Sequence, residues 1–154
     1  MAVPDPVDHP REFLNYLFQT AVKRALPLHN TAAYLPTPQV GSGRTIVLGA
    51  GKAAAAMAQA VEVYWPADVS LSGLVVTRYH HIPARPAELD GKPARIEIVE
   101  AAHPVPDAAG LQAAQRILDM TQGLTSEDVV LCLISGGGSA LLSLPVVGLD
   151  FAEK

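Results

Sequence analysis

The chain has 154 residues, enough for about one ordinary domain, with 49% apolar and 17% charged side chains, so it can build a core. Its net charge is −4 and Lys and Arg form no run, which argues against nucleic acid or an anionic membrane as a partner. A small anion is still allowed, because one local site can be basic on an acidic protein. The single cysteine, Cys132, excludes an intrachain disulfide and sits in an apolar run, where a buried, inert thiol is expected. No apolar stretch approaches the ~20 residues of a membrane span, and the proline-rich, acidic start lacks the features of a signal peptide. The expected location is the cytoplasm.

Residues 1–9 read as an extended tail. From Arg11 to Leu26, Phe13, Leu14, Leu17, Phe18, Val22 and Leu26 recur at helical spacing, which predicts an amphipathic helix that Pro27 stops. Residues 27–43 read as a loop, with a short helical turn allowed in HNTAAYL. Thr45-Ile46-Val47-Leu48 predicts a buried parallel strand ending at Gly49, followed by an alanine-dense helix from Lys52 to Tyr64 that Pro66 ends. Gly73–Thr77 predicts a second strand, followed by a polar loop carrying Arg78, His80 and His81. Arg95–Glu100 alternates like a strand with one wetter face. Asp107 is placed to cap a helix running to about Met120, with Gly123 at its C-terminal end. Asp128–Ile134 is apolar throughout and predicts another buried strand, after which Gly136–Gly138 turn into a helix near Ser139. Strands alternating with helices imply an α/β fold, a mostly parallel sheet with helices on both faces. The order of the strands is not readable. Asp150–Lys154 resembles the start of a further helix, and the expectation is a truncated domain.

The sequence carries one device twice: apolar strand, glycine turn, helix of small residues. In Gly49-Ala50-Gly51-Lys52, glycines allow close approach, the helix start offers unpaired N–H groups, and Lys52 adds a point charge. The motif is not a Walker A loop, since Ala53 stands where Ser or Thr would hold magnesium. It is a partial dinucleotide fingerprint at Gly49, Gly51 and Ala54, and a plain strand–helix turn is the competing reading. Ser135-Gly136-Gly137-Gly138-Ser139 is more telling, because three consecutive glycines cost backbone entropy that a simple turn does not require. Their N–H groups, flanked by two hydroxyls, form a candidate anion cradle. Neither serine stands in the G-x-S-x-G frame of a hydrolase elbow. His103 and Asp107 lie on a loop stiffened by Pro104 and Pro106, and Arg78 ends a strand on the ligand side. A turn residue, a helix cap and a solvated arginine are the competing readings of these three. His80-His81 lacks the further ligands of a zinc site, and no metal ligand is identified.

LGAGKAAAAMAQAVE, VVTRYHH, EAAHPVPDAAG and LISGGGSALLSLP, in this order, resemble the N-terminal domain of the glycerate 2-kinases of the MOFRL-containing type, whose members are often labelled hydroxypyruvate reductases. The resemblance implies a two-domain protein with a Rossmann-like N-terminal domain, here residues 10–154, and a C-terminal MOFRL-type domain that this chain does not contain. It implies transfer of the ATP γ-phosphoryl group to the 2-hydroxyl of D-glycerate, with Mg²⁺, in a cleft between the two domains. It implies Lys52 as the active-site lysine and Ser135–Ser139 as the phosphate loop, with Arg78, His103 and Asp107 near the cleft. Which glycine turn holds nucleotide and which holds glycerate stays open; the working assignment gives the phosphates to Ser135–Ser139 and the transferred group to Lys52. The partners implied are small molecules, and a homo-oligomer is compatible with the sequence. The alternative enzyme is an NAD(P)H-dependent hydroxypyruvate reductase. It would call for an acidic residue about 20 positions beyond the first turn, where this chain has Thr77-Arg78. A further alternative is an inactive fragment or a small-anion-binding module, and these residues alone are expected to show little kinase activity.

Overall fold

The computed structural model describes residues 2–38, 41, 43–136, 140–146 and 148–151. Four strands, β1 (Thr45–Ala50), β2 (Ser72–Arg78), β3 (Ile96–Ala101) and β4 (Val129–Ile134), form one parallel sheet in the order β3-β2-β1-β4. Helices α1 (Pro10–Ala25), α2 (Pro27–Asn30), α3 (Ala54–Tyr64) and α4 (Ala108–Met120) complete the regular structure, with a 3₁₀ turn at Thr31–Tyr34. The expected α/β sheet with helices on both faces is what forms. Pro27 does end α1, but it also opens α2, because a proline at the first helical position gives up only an N–H that would be unpaired anyway.

Each face of the sheet has its own core. On one, Ala54, Ala58 and Val61 of α3 pack with Val47, Val75, Ile96 and Leu133. Alanine lets the α3 backbone lie close to the strands. On the other, Ala113 of α4 packs with Ala50, Leu74, Val76, Ala101 and Leu141. Asp107 caps α4, its Oδ1 accepting from the Gly110 N–H at 3.0 Å, as its position predicts. Gly123, at φ 66°, lies just beyond the end of α4. Glu62, buried on α3, accepts from the N–H groups of Arg95 (2.6 Å) and Ile96 (2.7 Å) and so anchors the start of β3.

Two expectations about β4 fail. The strand is apolar throughout, yet it forms the edge of the described sheet, and Val130 and Ile134 are exposed. Cys132 is exposed too, not buried. The cause is the strand order: α4 lies on the face that carries these three side chains, but over β2 and β3, so among the described residues it does not cover β4.

The amino ends of β1 and β4 are tied by Arg44 and Asp128. The Asp128 carboxylate accepts from the Arg44 N–H (2.7 Å), Nε (3.2 Å) and Nη2 (3.0 Å), and from the Thr125 N–H (2.9 Å). The Arg44 side chain, then the Arg44 and Thr125 N–H donors, hold this carboxyl well below the usual carboxylate range. A depressed carboxylate contributes stability above its unfolded pKa of about 3.9 and loses it as pH falls toward the folded value. The urea midpoint is therefore expected to fall between about pH 5 and pH 3, with Asp128→Asn lower at neutral pH and shallower in its acid slope. Equal acid slopes in parent and variant would contradict this role.

Candidate functional site

Chain order and strand order together locate the site. The chain runs outward through β1, β2 and β3, then crosses back to place β4 on the other side of β1. The strand order therefore reverses at β1, and in an open parallel sheet a crevice at the carboxyl ends of the strands beside such a reversal is where ligands bind. Both glycine turns stand there.

The turns touch. The β1–β4 register ends with Ala50 opposite Ile134, and the Ser135 N–H donates to Ala50 O at 3.1 Å, extending the ladder into the turn. Gly51 N–H donates the other way, to Val76 O of β2 at 3.0 Å. Ser135 Oγ accepts from the Ala53 N–H at 3.0 Å. Ala53 is the N-cap of α3 and has no side chain to do this itself. A serine from the second turn thus caps the helix of the first, and among the described residues its hydroxyl hydrogen has no acceptor and is available to donate. Thr77, fully buried, donates from Oγ1 to Lys52 O at 3.3 Å and fixes the turn from the β2 side. Lys52 is exposed, and among the described residues its ammonium makes no ion pair.

The three described glycines of the motif do different work. Gly49 lies within β1 rather than in the turn, and a Cβ there would run into the Leu133 backbone of β4. Gly51 has φ 127°, and its missing Cβ would meet the oxygens of Ser135. Gly136 has nothing within 4 Å of a would-be Cβ, so its bare backbone faces open space. Gly137, Gly138 and Ser139 lie outside the described residues, as does the start of the helix expected near Ser139.

Arg78, Tyr79, Ala102 and His103 line a separate cavity of about 280 Å³ where β2 and β3 end. The His103–Pro104 bond is cis. Asp107 contributes no free oxygen: Oδ1 caps α4, and Oδ2 accepts from the Tyr79 OH at 2.8 Å. Burial would raise the Asp107 pKa, but donation from Gly110, Tyr79 and the nearby backbone lowers it overall, so the group is a carboxylate acceptor. Tyr79 is held above its ordinary value, chiefly by that same hydrogen bond. Sequence reasoning missed Tyr79, and the only available signal was its place beside Arg78 at a strand end. Among the described residues, no group of three or more His, Cys, Asp and Glu could hold a metal ion, and no helix is long and apolar enough to cross a membrane.

A parallel sheet with two glycine turns meeting at the carboxyl ends of β1 and β4 defines an open α/β domain of the class that binds ligands at that edge. Residues 13–154 match the family described as domain of unknown function DUF4147, and the chain belongs to that family, the N-terminal domain of the glycerate kinases. It is 48% identical over 145 residues to an Agrobacterium vitis protein named "Putative hydroxypyruvate reductase", covering 94% of this chain and 30% of that protein. It is 37% identical over 116 residues to the D-glycerate 2-kinase of Thermotoga maritima, covering 75% of this chain and 26% of that one. The crystal structure of a Thermotoga maritima glycerate kinase superposes with a TM-score of 0.70 at 33% identity, over 90% of this chain and 31% of that one. The chain thus spans about a third or less of the length of these relatives.

Proposed function

We propose that the protein of which this chain is part is a glycerate 2-kinase, transferring the γ-phosphoryl group of ATP to the 2-hydroxyl of D-glycerate to give 2-phosphoglycerate. The observation that carries the reading is the interlock of the two turns: Ser135 Oγ caps α3 through Ala53 while Gly51 packs against Ser135. Such an interlock gathers a helix N-terminus, a bare glycine backbone and the Lys52 ammonium at one place. That is the charge and donor set that phosphoryl transfer requires, since catalysis there is mostly alignment and electrostatic stabilisation.

In this account Gly136, with Gly137, Gly138 and Ser139, cradles phosphate oxygens through N–H and hydroxyl donors; Ser135 adds its hydroxyl, and Gly51, whose own N–H is held by Val76 O, lets the phosphates come close to the bare backbone. Gly49 keeps β1 and β4 close enough for the two turns to meet. Lys52 neutralises charge on the transferring group. Arg78 and His103 receive the acceptor acid, and Asp107 supports them through Tyr79. Mg²⁺ is the expected counterion of the nucleotide; the described residues offer it no cluster of their own, so its ligands on this reading are chiefly the phosphates.

The second reading, a hydroxypyruvate reductase, is favoured by the name of the Agrobacterium vitis relative; the ribose-binding acid it would call for is missing, but the Arg78 guanidinium in its place suits the 2′-phosphate of NADP. One experiment separates the two. The protein is mixed with D-glycerate, ATP and Mg²⁺, and ADP is followed; in parallel it is mixed with hydroxypyruvate and NADPH. Glycerate-dependent ADP release without NADPH oxidation is the expected result. NADPH oxidation without ADP release would reverse the assignment.

A further inference from the structure

The Arg78 guanidinium is held by one corner. Its Nε donates to His81 Nδ1 at 3.1 Å, and this is its single hydrogen bond among the described residues. Both Nη groups, with four hydrogens between them, remain for a ligand. Nothing in the lining of the adjacent cavity belongs to either glycine turn. Its volume of about 280 Å³ suits a small acid better than a nucleotide, because drug-sized ligands occupy roughly 300–1,000 Å³.

His81 is itself fixed in place. The Tyr79 N–H donates to Ala101 O at 3.2 Å, carrying the β2–β3 ladder one step past the strand. His80 then takes φ 62°, a conformation uncommon outside glycine that surrounding structure must hold. This bend lets the His81 N–H donate to Glu100 Oε1 of β3 at 3.2 Å. An imidazole nitrogen that accepts from a guanidinium carries no proton, so neutral His81 bears its proton on Nε2.

We infer that His81 is a positioning residue: its Nδ1 lone pair aims the Arg78 fork so that both Nη groups grip one planar oxyanion, the carboxylate of the acceptor acid. The fork geometry stands on its own; naming that acid rests on the kinase reading. Carboxylate is the matching partner because a planar guanidinium pairs with it through two parallel hydrogen bonds, which an ammonium cannot do.

The test combines kinetics with spectroscopy. In His81→Asn the amide oxygen takes the place of Nδ1 and can still accept; in His81→Leu nothing accepts. His81→Leu is expected to raise KM for D-glycerate about tenfold, as loss of an orienting partner does, with KM for ATP within about twofold. His81→Asn is expected to stay within about threefold of the parent, and Arg78→Lys to resemble His81→Leu. Equal losses in His81→Asn and His81→Leu would overturn the positioning role. A rise in KM for ATP instead would assign the fork to a nucleotide phosphate and overturn the carboxylate. The unsubstituted protein gives an independent answer through its ¹⁵N imidazole and guanidinium signals. An Nε2-protonated His81, with an Arg78 Nε signal that shifts on adding D-glycerate but not orthophosphate, supports the inference even if no kinase turnover is found. An Nδ1-protonated His81, or no shift with D-glycerate, overturns it.

Discussion

In the protein of which this chain is part, replacing Lys52 by alanine is expected to lower kcat for glycerate-dependent ADP formation about 10²–10³-fold while leaving Tm nearly unchanged. The two halves of this expectation have different causes. Lys52 is exposed at the turn entering α3, and among the described residues its ammonium pairs with nothing, so its loss removes no packing and no ion pair. Its backbone is fixed separately, through the bond from Thr77 Oγ1 to Lys52 O, which alanine retains. What disappears is a positive charge beside the α3 N-terminus. Removing one such preorganised group from a transition state of developing charge costs about 3–4 kcal/mol. The loss should fall on kcat more than on KM, since the charge acts on the transferring group. A variant that keeps parental kcat would remove Lys52 from the chemistry.

The second large effect is on folding. Gly51→Ala should destabilise the protein by about 2–4 kcal/mol, a fall in Tm of roughly 4–16 °C for a domain of this size. Gly51 sits at φ 127°, where a Cβ is strained whatever the space, and that Cβ would meet Ser135 Oγ and O. Relief requires Ser135 to move, which breaks its acceptance of the Ala53 N–H and uncaps α3. Activity should fall with stability, since both turns are displaced together. Gly136→Ala supplies the contrast. A Cβ there meets nothing within 4 Å, so stability should change by less than about 1 kcal/mol, and any effect on activity reports on the approach of ligand to the backbone. Similar destabilisation by both substitutions, read from urea midpoints, would contradict the interlock.

This contrast shows where the sequence is legible. Apolar runs of strand length, an alanine-dense helix and the Asp107 cap identify β1, β2, β4, α3 and α4, because these signals are local. The edge position of β4 is not local. A run apolar on both faces, Val129–Ile134, reads as buried until the strand order places it outside β1 and away from α4. Exposed Cys132 follows from that one fact. The glycines look alike in sequence, yet Gly49 serves strand packing, Gly51 a left-handed turn against Ser135, and Gly136 an open surface. Asp107 could be read as cap or ligand; both its oxygens go to Gly110 and Tyr79. The His81 contacts depend on the bend at His80, and no spacing rule encodes that.

Two turns more than 80 residues apart in the chain, joined by the Ala53–Ser135 hydrogen bond, should bind one phosphate chain. Titrating Mg·ATP into ¹⁵N-labelled protein and following backbone amides tests it most directly. The amides of Gly51, Lys52 and Ala53 and those of Ser135 and Gly136 are expected to shift along one binding curve with a single Kd. Shifts confined to one turn, two separate curves, or none at saturating nucleotide would contradict the account.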